Sequence, residues 1–343
     1  MTTKIKNIWK LVLKVSLILV ISLVLIEITL GIYFKIKDRN LIHAEVIDYP
    51  YLYFKLTEDS DFRNEDGLKI FREKTKPDTV FRIIISGGSV VYGLEPENTI
   101  SANLERLLND SLLEVNIEVL NAGVPAYVIE QEFILVQLVL QYYNPDMIIS
   151  LDGYNDLIST EINRFYPCED LLPPHNWRDF RLIKYHNNVR RLSGRFYGAF
   201  TNINRLSDFA YRNFSNKKDD FAAMSANKQY IAKTYRQRTN DLEAFCQAKD
   251  IVYYHFLQPV RFISNNSNNR EKHLEEIYKC MNDSLINYPY YKSLIDIFDN
   301  NDQVYTDECH VDELGNKKIA MKMFNVIFPV IKNEFLCDSL IIK

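Results

Sequence analysis

Four short stretches of this 343-residue chain hold the residue types from which an acyl-transfer catalyst is assembled. Gly87-Gly88-Ser89 sets a hydroxyl behind two small residues, and Asn121-Ala122-Gly123 ends on a residue without a Cβ. Asp152-Gly153-Tyr154-Asn155-Asp156 carries a side-chain amide, and Asp307-Glu308-Cys309-His310 spaces a carboxylate and an imidazole three residues apart. A serine hydroxyl is a poor nucleophile until a base takes its proton. His310 can be that base, and Asp307, on the same turn, can hold Nδ1–H so that Nε2 faces Ser89. The oxyanion that develops on the attacked carbonyl needs fixed donors. The candidates are the backbone N–H groups of Ser89 and Gly123 and the side-chain amide of Asn155. Glycine at 123 is expected to leave its amide open to an approaching carbonyl. Cys309 is a second nucleophile type beside His310, but adjacent side chains are expected to point apart and Ser89 already fills the role.

Each stretch alone has a plainer reading. Glycine after a strand ordinarily serves φ > 0 or close packing. Asn and Asp in a Gly-x-Asn-Asp turn bond nearby backbone, and Asp-x-x-His ahead of a helix is commonly a cap with a surface imidazole. The set gains weight from its placement. Residues 79–86, 114–120, 146–151 and 251–257 read as strands, and 97–109, 128–143, 219–249, 269–285 and 313–333 as helices, with a short strand at 295–298. Strand and helix alternate, which predicts right-handed βαβ units around a parallel sheet. Ligands in such sheets bind at the carboxyl ends of strands, where Ser89, Gly123 and Asn155 fall, and Asp307-x-x-His310 comes just before the last helix.

With these motifs in view, the chain resembles the SGNH hydrolases, the serine esterase and lipase superfamily also called GDSL-like. Its four named residues map onto Ser89, Gly123, Asn155 and His310, with Asp307 as the acid, over roughly residues 79–330. The resemblance implies a three-layer α/β fold with a flavodoxin-like parallel sheet and ester hydrolysis through an acyl-enzyme, with no metal or organic cofactor. Residues 51–67 and Leu257-Gln258-Pro259 are also similar to a membrane-anchored bacterial subgroup. The frequent Gly-Asp-Ser of the family is Gly87-Gly88-Ser89 here, and the stretch from 157 to 250 has no counterpart in compact members.

Composition narrows the partners. Lys plus Arg number 41 against 45 Asp plus Glu, a net charge of −4 without a basic block, so phosphate neutralisation is not available and a nucleic-acid partner is not expected. Five cysteines, Cys168, Cys246, Cys280, Cys309 and Cys337, are scattered with no C-x-x-C pair, which argues against a zinc knuckle or a disulfide framework. Gly87 to Gly93 lacks the Gly-x-Gly-x-x-Gly and Gly-Lys-Ser/Thr signatures of nucleotide sites. His43, His175, His186, His255 and His273 show no metal-ligand spacing and read as structural or surface residues.

Residues 11–34 are strongly apolar, with Lys14 and Glu27 the only charges, and 24 helical residues rise about 36 Å, enough for a hydrocarbon core of about 30 Å. Lys4, Lys6 and Lys10 would suit the basic start of a signal peptide, but no A-x-A site follows the run, so an uncleaved anchor is expected; Lys35, Lys37 and Arg39 on the far side balance the flanking charge, and the expected arrangement is a short tail inside and the body extracytoplasmic. The expected organisation is a tail and membrane helix over 1–37, a juxtamembrane lead-in over 38–78, an α/β domain over 79–335 with an insertion at about 157–250, and a tail over 336–343. The expected activity is cleavage of an O-acyl or O-acetyl ester of a glycan, lipid or small molecule. The alternatives are an O-acyltransferase acting on an envelope polysaccharide and a non-catalytic envelope scaffold.

Overall fold

The structure, a computed structural model, describes residues 2–37, 46–49, 52–59, 63–113, 115–162, 227–263, 269–298 and 302–341. Helix α1 (Thr2–Lys37) contains an apolar segment, Leu13–Tyr33, of mean hydropathy 2.7 with none of it buried, long and apolar enough to cross a membrane. Its hydroxyl at Thr29 donates back to the Leu25 carbonyl at 2.8 Å, so that polar group is satisfied inside the helix.

The α/β unit holds the other elements. Strands β1 (Val46–Tyr49) and β2 (Tyr53–Leu56) form an antiparallel pair. They are followed by β3 (Val80–Gly87), α2 (Ser89–Tyr92), α3 (Ile100–Ser111), β4 (Asn116–Gly123), α4 (Ile129–Leu138), β5 (Met147–Asp152) and α5 (Tyr154–Ile162). Beyond residue 226 come α6 (Lys228–Gln247), β6 (Val252–Leu257), α7 (Asn269–Leu285), β7 (Tyr291–Ser293) and α8 (Glu313–Ile341). Five strands form one parallel sheet in the order β4-β3-β5-β6-β7, the 2-1-3-4-5 order of a flavodoxin-like sheet. Helix α3 packs on α8, and α6 packs on both α4 and α7.

Every residue of β3 and β5 is buried. Both faces are covered, which is why these strands read as near-continuous apolar runs in place of alternation. Four polar residues interrupt them, Arg82 and Ser86 in β3 and Ser150 and Asp152 in β5, and Arg82, 1% exposed, is fully employed. Its guanidinium binds Glu118 at 2.8 Å and donates to the carbonyls of Glu73, Lys74 and Tyr143. A buried charge persists only when paired in this way.

In a doubly wound sheet the crevice opens where successive crossovers leave to opposite sides. The chain leaves β3 for β4 on one side and returns to β5 on the other, so the ends of β3 and β5 flank the switch point. Ser89 follows the first and Asn155 the second.

Several boundaries differ from those expected. In the stretch 38–78, expected as a lead-in ahead of the domain, the described residues 46–49, 52–59 and 63–78 belong to its packed unit. Leu52, Phe54, Leu56, Leu68 and Ile70 are each at most 3% exposed, and Tyr127 and Gln131 donate to the Phe54 and Leu52 carbonyls. The last strand is at Tyr291–Ser293, whereas 295–298 is a turn. Tyr291 turns its ring inward to stack on His255 and donates its hydroxyl to Asn282, so an aromatic with a satisfied polar tip does the work expected of Ile295 and Ile297. The expected helix over 128–143 stops at Leu138, and a 3₁₀ turn covers Leu140–Tyr143. Helix α8 continues past 335 to Ile341, through the expected tail. Most of the insertion at 157–250 lies outside the described residues, with its two ends in α5 and α6.

Candidate functional site

Strand β3 runs out at Gly87, and Gly88 turns the chain into the four-residue α2, closed by Gly93, whose N–H donates to the Ser89 carbonyl at 3.1 Å. Ser89 thereby occupies the first position of a helix, where the backbone N–H has no intrahelical acceptor. Its Oγ is 2.7 Å from His310 Nε2, across a separation of 221 residues.

His310 is held by a tight loop between Tyr305 and Val311, which pair as an isolated antiparallel bridge. Within it Asp307 Oδ1 accepts from the backbone N–H groups of Cys309 and His310 at 2.9 and 2.8 Å. The other carboxylate oxygen, Oδ2, lies 2.7 Å from His310 Nδ1. Burial by itself would raise the Asp307 carboxyl, but the two amides and the imidazole outweigh it and hold the group below the ordinary carboxylate range. An ionised Asp307 fixes the proton on Nδ1 and leaves Nε2 as acceptor for the Ser89 hydroxyl. Glu308, in the same loop, accepts from Tyr154 OH at 2.7 Å and from the Arg261 N–H through its carbonyl, tying the loop to the exits of β5 and β6.

Asn155 and Asp156 open α5 and grip one neighbouring segment. Asn155 Nδ2 donates to the Tyr127 carbonyl at 2.8 Å, and Asp156 Oδ1 accepts from the Ile129 N–H at 3.0 Å. The Asn155 amide stands against Gly88, where a Cβ would meet Nδ2 at 2.3 Å. Glycine at 88 thus leaves the space that Asn155 occupies.

Gly123 is a glycine for another reason than the one expected. A Cβ there would stand 2.3 Å from the Tyr92 N, so the missing side chain admits the backbone of α2. Its N–H donates to Asn121 Oδ1 at 3.0 Å and is not open to a substrate carbonyl in this arrangement. Asn121 Nδ2 in turn donates to the Val91 carbonyl at 2.8 Å, which latches α2 to β4. Of the expected donors this leaves the Ser89 N–H, at the first position of α2, and the Asn155 amide, beside Gly88.

Below the site lies a fully buried polar cluster of which sequence reading named only Asp152, Asp156 and His255, with His255 read as structural or surface and none given a catalytic part. Burial, then the charges of Asp152 and Asp156, push Glu132 of α4 well up; burial, then Asp156, does the same to Asp152. Asp156 is raised to about 7, chiefly by burial, against the pull of the Ile129 amide. Tyr235 OH donates to Asp152 Oδ1 and meets His255 Nε2 at 2.7 Å, and burial lowers His255 to about 3. His255 is accordingly a neutral, hydrogen-bonded core residue. His273 is half-buried, and His43, His175 and His186 lie outside the described residues. Glu132, within the expected helix over 128–143, and Tyr127, just ahead of it, carried no functional signal.

No protein-family model matches the sequence, and no curated protein does. Among solved structures, the acetyl xylan esterase AlAXEase is 13% identical, with 72% of this chain and 100% of that chain covered and a TM-score of 0.45. Axe2, an acetylxylan esterase from Geobacillus stearothermophilus, is 12% identical over 72% of this chain and 94% of that chain, at 0.44. A G-D-S-L family lipolytic protein from Desulfitobacterium hafniense is 11% identical over 71% and 98%, at 0.41.

Proposed function

We propose that this chain is a serine esterase held at a membrane by α1, cleaving an O-acyl ester of a glycan, lipid or small molecule. The observation that carries the reading is the unbroken hydrogen-bond line from Asp307 Oδ2 through His310 to Ser89 Oγ, with both links at 2.7 Å. Ser89 Oγ attacks the acyl carbonyl as His310 Nε2 takes its proton. The imidazolium so formed is stabilised by Asp307 and then returns the proton to the departing alcohol oxygen. Water repeats the sequence on the acyl-enzyme. Negative charge on the tetrahedral carbon's oxygen is met by the Ser89 N–H and Asn155 Nδ2, the latter aimed by Tyr127 and by the gap at Gly88.

The test is turnover of a short-chain aryl ester together with a fluorophosphonate label. Wild type hydrolyses the ester and carries the adduct on Ser89, and Ser89→Ala loses both. An unchanged rate in Ser89→Ala would eliminate the reading. A labelled Ser89 whose acyl group passes to a glycan hydroxyl in preference to water would turn it into a transferase.

A further inference from the structure

Cys309 does not point away from its neighbour. Its Sγ is 3.7 Å from His310 Nδ1, the nitrogen that also faces Asp307 Oδ2 at 2.7 Å. The ligand atoms of Asp307, Cys309 and His310 all lie within 4.8 Å of one another. The side chains of His310 and Asp307 are 36% and 55% exposed, whereas Cys309 is buried behind them. A thiol, an imidazole and a carboxylate thus converge at a mouth open to solvent.

Zinc takes such a donor set in tetrahedral geometry, with bonds of about 2.3 Å to sulfur and about 2.0–2.2 Å to nitrogen and oxygen. Those bonds set donor atoms roughly 3.3–3.6 Å apart. The sulfur-to-nitrogen separation already fits, and the nitrogen-to-oxygen one has to open by roughly half an ångström once the bridging proton leaves. The soft sulfur selects zinc or cadmium over magnesium or calcium.

We propose that Asp307, Cys309 and His310 form an inhibitory site for a borderline or soft divalent cation, zinc or cadmium, which shuts the catalytic apparatus when it binds. Cys309 gives up its thiol proton to solvent. The Nδ1 proton leaves and Nε2 takes one up, so the imidazole stays neutral and one proton is released in all. With the metal on Nδ1, Nε2 carries hydrogen and donates toward Ser89 Oγ, and it can no longer accept the serine proton. Asp307, drawn to the metal, also stops orienting the ring. The effect on rate rests on the esterase reading above, while the binding does not.

Cadmium is the probe, with the full chain. Wild type and Ser89→Ala both develop the ultraviolet cadmium–thiolate charge-transfer band at one ion per chain, and Cys309→Ser does not. Zinc at saturation slows wild-type ester hydrolysis at least tenfold, and in Cys309→Ser at least tenfold more zinc is needed to slow that variant's own rate to the same degree. Cys309→Ala replaces the serine variant should that one misfold. A band that survives in the Cys309 variants assigns the ion to another cysteine and overturns the site. A band with an undiminished wild-type rate overturns the inhibition. A wild type inactive on every ester defeats the esterase reading instead, and the band in Ser89→Ala still decides the metal site.

Discussion

A Cβ on Gly88 would lie 2.3 Å from Asn155 Nδ2, so the position beside the serine and the amide next to it are a matched pair. Asn155 is held there by the Tyr127 carbonyl at 2.8 Å and cannot retreat without breaking that bond. Loss of one oxyanion donor costs about 10²–10³ in kcat. Asn155→Ala is therefore expected to lower kcat by about 100-fold or more, and Gly88→Ala by a similar factor. Because both act on the same amide, the double variant is no slower than the worse single one. Multiplying losses in steady-state ester kinetics would mean that Gly88 acts on something other than Asn155.

Asp307 is expected to matter through orientation and charge. Asp307→Ala removes the partner of His310 Nδ1 and the acceptor of two loop amides, and kcat is expected to fall by roughly 10²–10⁴, the range for a disabled acid–base group. The folded carboxyl lies below its unfolded value, so its contribution to stability is present above about pH 3.9 and is lost as pH falls through the lower folded value. Urea midpoints of wild type and Asp307→Ala should consequently differ at pH 6 and converge in strong acid. A gap that widens on acidification would contradict the assignment.

The buried carboxyls run the other way. Asp156 is raised to about 7 from an ordinary value of 3.8, so the folded state binds more protons than the unfolded one between those limits. Its contribution is fully present below about pH 3.9 and disappears as pH rises through about 7. Asp156→Asn keeps an acceptor for the Ile129 amide and cannot ionise. The melting temperature of Asp156→Asn minus that of wild type is expected to climb from pH 4 to pH 7 and then level off. A difference independent of pH over that range would show Asp156 to be ionised throughout.

The alternation of apolar runs with helical stretches was readable in the chain because β3 and β5 are buried on both faces and carry little else to read. The Asp307-x-x-His310 spacing was readable too, since three residues suffice to close a carboxylate onto an imidazole. The direction of Cys309 was not. It follows from the turn in which Asp307 Oδ1 gathers the amides of Cys309 and His310, a backbone conformation that residue types do not specify. The same holds for Gly123, whose reason lies in the approach of Tyr92 from a different element. Residues 46–78 misled for a third reason. Their buried side chains are spread among charged residues with no sustained period, so the core they supply appears only when Phe54 meets Tyr127 and Arg82 reaches the carbonyls of Glu73 and Lys74.

That packing sets where the folded unit begins. Leu52, Phe54, Leu56, Leu68 and Ile70 are almost completely buried, and fully burying such a side chain is worth about 1.5–3 kcal/mol. Together they contribute on the order of 10 kcal/mol, as large as the whole stability of a typical domain, about 5–15 kcal/mol. Polar ties add to this near the serine. Arg63 donates to Tyr92 OH at 3.2 Å, and Lys69 donates to the Gly93 carbonyl at 2.9 Å, so the segment also secures the far end of α2. A chain starting at residue 44 is expected to unfold cooperatively in urea and to hydrolyse a soluble aryl ester. One starting at residue 79 is expected to be insoluble or to show no cooperative transition. Equal urea midpoints for the two would show that the hairpin and its following loop are dispensable to the core.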